Sequence, residues 1–164
     1  MCARLRSVLP FILLSGFAAA SCGGPTVDLK QGLQLDIVSS GWFDAGIVDG
    51  KNKLVPALVI KLKNVSDQKL VSLQINAIFH RVNDTQEWGT GFITAAGSDG
   101  LRSGDTTVPL TIKSHLGYTG TEPRAEMLSN SKFVDARVDL FAKYGSTQWT
   151  KVGETPISRQ LVTP

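Results

Sequence analysis

Residues that ordinarily do chemistry are sparse in this chain. His80 and His115 are its two histidines, and neither begins a His-x-x-x-His or His-Glu-x-x-His pattern. That spacing is what sets two imidazoles on one helix face toward a metal. No Gly-x-Ser-x-Gly elbow and no Gly-Lys-Ser/Thr phosphate loop occurs. The stretch from Gly97 to Asp105 offers two hard oxygen donors, Asp99 and Asp105. It lacks the alternating acids and closing glutamate of a calcium loop, and Arg102 opposes a cation, so it reads as a turn. With no nucleophile–base pair, no metal set and no cofactor fingerprint, the reading is a non-catalytic protein without a cofactor. His80 falls on the outward phase of a strand and is expected to face solvent, as are Asp135, Arg137 and Asp139.

Cys22 is the residue whose chemistry its surroundings specify. Arg4 and Arg6 open the chain, Val8 to Ala20 is apolar but for Pro10, Ser15 and Gly16, and small residues lead to Cys22. A positive start, an apolar run too short to span a membrane and small residues at the end make a secretory signal. Small residues before the cysteine, with Gly23-Gly24-Pro25 after it, resemble the lipobox of bacterial lipoproteins. The resemblance implies cleavage before Cys22, acylation of its thiol and a membrane anchor facing periplasm or exterior. In a host with two membranes, Gly23, where that family places Asp for inner-membrane retention, favours an outer-membrane destination. Ala19 stands where the family prefers a larger aliphatic, and cleavage after Ala20, leaving Cys22 a free thiol, is the rival.

The expected division is therefore a signal over 1–21, a polar tether over 22–32 and one domain over 33–164. Cys2 leaves with the signal, so no internal disulfide is expected and an ordinary core must hold the fold. Residues 22–164 suffice for one domain and are short for two. Losing Arg4 and Arg6 leaves 15 of 17 basic residues against 14 acids. The bases are scattered, which excludes a nucleic-acid footprint.

Aromatics carry the remaining functional colour. Trp42, Trp88, Tyr118, Tyr144 and Trp149 fall in or beside expected loops. Loop aromatics at one end of a β-domain can stack on a sugar or seat a peptide, and they can equally cap the core. Trp88, Tyr118 and Trp149 are the candidate ligand-binding residues.

The elements that must position them alternate with a period of two, the mark of half-buried strands. Leu58 to Phe79 is the clearest stretch: Leu58, Ile60 and Leu62, a polar turn at Asn64, Ser66 and Asp67, then Leu73, Ile75, Ala77 and Phe79. It reads as two strands around a tight turn. Leu33 to Val38 makes a first strand ended by Ser39-Ser40-Gly41, and Asp49-Gly50 marks a turn. Asn83-Asp84 suggests a hairpin bend, followed by a strand over 92–96. Val108 to Lys113 reads as an edge strand because of Pro109. Ala136 to Lys143 and Trp149 to Val152 form a hairpin through Gly145, and 157–162 adds a final edge. One helix is expected near 122–128, with Thr121 as N-cap. Seven or eight short strands and one weak helix give an all-β antiparallel sandwich, with a small open barrel as the other architecture.

Two stretches, Lys63-Asn-Val-Ser-Asp-Gln-Lys-Leu70 with the strand to Phe79 and Leu101-Arg-Ser-Gly-Asp105, are similar to FxLYD-type immunoglobulin-like domains of bacterial secreted lipoproteins. The resemblance covers about Leu33 to Lys113. It implies an adhesive or interaction module of the cell envelope, usually of unknown ligand, and it brings no catalytic residues; an envelope protein or a glycan is the expected partner. The alternative is a soluble periplasmic or secreted assembly subunit that offers the 108–113 edge for β-augmentation.

Overall fold

A computed structural model describes residues Thr26 to Thr163. The expected signal segment and Cys22 lie outside the described residues. The chain is an antiparallel sandwich of two four-stranded sheets. The first holds β1 (Leu33–Val48), β2 (Lys51–Asn64) and β5 (Leu110–Lys113), with β6 (Tyr118–Gly120) also on β2. The second runs β4 (Glu87–Ala96), β3 (Leu73–Arg81), β7 (Ala136–Lys143), β8 (Thr150–Pro156). The inner face is the aliphatic phase of each strand. Leu58, Ile60 and Leu62 meet Leu73, Ile75, Ala77 and Phe79, and Val138 and Leu140 complete the layer. Alternation in-and-out is what one buried face per sheet demands.

Two hairpin turns fall where their residues ask for them. Asp49 and Gly50 both have positive φ, 50° and 74°, the backbone that lets a two-residue turn follow strand twist. Asn83, at φ 68°, bends β3 into β4.

Several expectations are corrected. First, the Leu58–Phe79 stretch is not a hairpin: β2 lies in one sheet and β3 in the other. The polar turn is a crossing between layers, fastened by Asn64. That side chain is fully buried; its amide donates to the carbonyls of Gln68 (2.7 Å) and Leu101 (2.9 Å), and its oxygen accepts from the Ser66 N–H (3.0 Å) and hydroxyl (2.7 Å). Second, the strand ended at Ser39-Ser40-Gly41 continues to Val48, because those residues pair with Val59, Leu58 and Ala57.

Third, the described part of the tether, 26–32, is docked on the domain. Asp28 caps the short helix α1 (Leu29–Gly32), Leu29 is buried, and the Val27 N–H donates to the Tyr144 hydroxyl at 2.6 Å. Two apolar side chains in a polar stretch bury themselves when a core edge is within reach. Fourth, the helix α2 covers Arg124–Ser129 after Pro123, with no side-chain cap from Thr121. Residues 157–162 form no strand; Leu161 makes one parallel bridge to Trp42.

Strand direction gives the sandwich two ends. The starts of β1, β3 and β8 and the loop after β7 gather beside α1. The β1–β2 and β3–β4 turns and α2 gather at the other. We call these the N-terminal and distal ends.

Candidate functional site

The structure splits the three candidate aromatics into two places. At the distal end Trp88 and Tyr118 join Trp42 and Phe133. Ring centroids are 5.1 Å apart for Trp88–Tyr118, 5.6 Å for Trp42–Tyr118 and 4.6 Å for both Trp42–Phe133 and Tyr118–Phe133. Trp88 turns toward this group because it is the extra residue of a bulge: Phe79 pairs with Gly89 but His80 with Glu87. Trp42, expected in a loop, is fully buried in β1. Phe133 was missed by pattern reading, since no alternation surrounds it.

Arg159 fastens the segment that carries Phe133. Its guanidinium donates to the Phe133 carbonyl at 2.7 Å and to the Asp135 carboxylate at 2.6 Å, and it stands 5.4 Å from the Phe133 ring. The Asp135 hydrogen bond raises the guanidinium pKa above its ordinary value, against partial desolvation. Across the first sheet Arg124 holds Asp44 at 2.5 Å. That hydrogen bond, with one from the Gly46 N–H, lowers the Asp44 carboxyl. Beside the aromatic group lies a shallow cleft of about 220 Å³ lined by Tyr118, Glu122, Met127, Asn130, Lys132 and Phe133. It offers two ring faces and one charge of each sign.

Trp149 stands elsewhere, at the N-terminal end of the second sheet's outer face. Its ring meets Phe92 edge-on at 6.3 Å and the Lys143 ammonium at 5.0 Å. Trp88→Ala removes rings from a packed group and is expected to cost about 3 kcal/mol. Trp149→Ala removes an exposed ring and is expected to stay within about 1 kcal/mol. Urea midpoints of the two variants check this, equal losses being the contrary result.

The histidines do not meet in one site. His115 bonds the Thr90 N–H through Nδ1 at 3.1 Å and closes the seam between β5 and β4. His80 is on the outward phase as expected but is covered, at 8% exposure. Its Nδ1 pairs with the Gln86 carbonyl at 3.0 Å and its Nε2 lies 3.4 Å from Asp139. The tight β3–β4 turn brings Gln86 back over it, which alternation alone does not reveal.

Asp139 is the centre of the outer-face charges, with Lys151 at 3.1 Å and Arg137 at 3.3 Å. Burial pushes its carboxyl up, but the hydrogen bond and attraction of Lys151, with those of Arg137, outweigh it and hold the pKa below 3.8. A carboxyl depressed in the folded state stabilises it above the unfolded pKa, and the contribution is lost as pH falls through the folded value. Asp139→Asn is therefore expected to lower stability at neutral pH and to flatten the stability curve below about pH 4. Thermal unfolding from pH 2 to 7 checks it; parallel curves would refute it.

Among the described residues no group of three or more His, Cys, Asp or Glu is placed to hold a metal. No described helix is long and apolar enough to cross a membrane. Comparison of the chain with protein-family models, curated proteins and solved structures gives no match.

Proposed function

We propose that this chain is a lipid-anchored module of a bacterial cell envelope, acylated at Cys22 and acting by binding. The observation that carries the reading is the order of a positive start, an apolar run, small residues and Cys22. Two acyl groups or more on that residue give stable anchoring, where one chain is marginal. The folded part begins close behind: Val27 is already bonded to Tyr144 and Leu29 is buried. The distal cleft by Tyr118 and Phe133 then points away from the anchored end and is the surface offered to a glycan or envelope protein.

The FxLYD-type reading is supported by the two stretches that suggest it lying together. The Asn64 N–H donates to the Asp105 carbonyl at 2.9 Å, and the Gly104 N–H to the Asn64 carbonyl at 2.7 Å. The rival assembly subunit has less to offer. Its edge strand β5 is four residues long, and just beyond it His115 is tied to Thr90.

Fractionation of the native host with wild type and Cys22→Ser tests the proposal. Wild type is expected in the membrane fraction and the variant in the soluble fraction or as uncleaved precursor. Wild type in the soluble fraction contradicts the anchor.

A further inference from the structure

The outer face of an antiparallel sheet on one side of a sandwich is ordinarily polar. Here it is not. Ile78, Phe92, Phe141 and Trp149 share the outer face of β4, β3, β7 and the start of β8; Phe92 is 56% and Trp149 39% exposed. Phe92 and Phe141 flank Asn76 from opposite sides, and the Trp149 ring reaches Phe92 across this face.

The place of this face relative to the N-terminal segment says what covers it. Gln148 and Thr150, the two neighbours of Trp149, line one cleft together with Thr26, Val27 and Leu29. The backbone at Trp149 therefore runs beside the start of the described chain, while its ring lies outside that cleft, on Phe92 and Lys143. Three residues separate Cys22 from Thr26, and the four steps between the two reach about 14 Å at most. With the acyl groups on Cys22, the Trp149 end of the sheet is kept within reach of the headgroup layer. An indole with a lysine beside it suits that layer: the ring prefers the boundary between hydrocarbon and water, and the Lys143 stem can lie along it with its ammonium at the phosphates.

We infer that the Phe92–Trp149 face docks on the phospholipid surface, so that the anchored domain lies tilted on its second sheet. The inference rests on acylation at Cys22. It makes Trp149 a second, non-covalent attachment and fixes which way the distal cleft faces.

The test uses acylated protein from host membranes, reconstituted into phosphatidylcholine vesicles with brominated acyl chains, which quench tryptophan on contact. Emission is expected to fall by about a third relative to plain vesicles, one of three tryptophans being in reach. Trp149→Phe is expected to remove most of that loss, with vesicle flotation unchanged. Wild type that floats with the vesicles but is not quenched overturns the docking and leaves the anchor standing. If such a protein also cross-links to itself through this face, the face belongs to a second copy. Protein that does not float overturns anchor and docking together.

Discussion

Gly117→Ala is expected to lower stability by about 3 kcal/mol and to dismantle the distal aromatic group with it. A Cβ at Gly117 would collide with the Leu54 carbonyl oxygen and press on the Val55 backbone. These are backbone atoms of the longest-paired strand in the first sheet and cannot swing aside. Relief requires β6 to move off β2, which breaks the pairing of Asn52, Lys53 and Leu54 with Gly120, Thr119 and Tyr118. Tyr118 then leaves Trp42, Trp88 and Phe133. For a domain of this size the midpoint of thermal unfolding should drop by about 10 °C. Near-UV circular dichroism should weaken, since Trp and Tyr in a fixed cluster give that signal. Gly97→Ala is the control, because a Cβ there meets nothing within 4 Å and no positive φ is involved. A Gly117→Ala protein as stable as the control would show that β6 does not approach β2 as closely as described.

Asn64→Ala is expected to cost about 2–4 kcal/mol. It deletes four hydrogen bonds of a buried side chain, one of them fully buried, and leaves the Ser66 N–H without its acceptor and the Gln68 and Leu101 carbonyls without the amide donor. The loss is directed at one feature, the crossing from β2 to β3, so the contact between residues 64–70 and 101–105 should loosen first. Hydrogen exchange of the Leu70 and Leu101 amides, which bond each other's carbonyls at 2.9 Å, should quicken ahead of the core strands. Asn64→Asp keeps the acceptor, removes both donors and places a charge against two carbonyls. It should be no better than alanine. Wild-type stability in either variant would return the Asn64–Asp67 turn to an ordinary exposed turn.

The sheet-forming pattern was legible wherever one face is buried and the other is not. Leu73 to Phe79 and Ala136 to Ala142 show their inner phase directly, and every inward member is buried. The Asp49-Gly50 and Asn83 turns were legible too, since their backbone favours those residues. What escaped was set by partners far along the chain. Ser39-Ser40-Gly41 looks like a stop, yet it pairs in β1, and Gly41 is small because the Gln160 carbonyl passes 2.5 Å from where a Cβ would be. The same turn residues serve a hairpin or a crossing, and only the Asn64 bond to Leu101 decides between them. Trp88 points inward through a bulge that alternation cannot locate. Val27 and Leu29 were hidden by the polar company they keep. Among the candidate site residues, Trp88 and Tyr118 belong chiefly to the packed distal group and Trp149 to an exposed face, a separation that depends on which end of the sandwich each loop joins.

The central claim stands on Cys22, and the mass of the mature N-terminal peptide from host membranes addresses it most directly. A peptide that begins at Cys22 and carries a diacylglyceryl group is the expected result. An unmodified peptide beginning at Ser21, recovered from the soluble fraction, would contradict the anchor and leave Cys22 a free thiol.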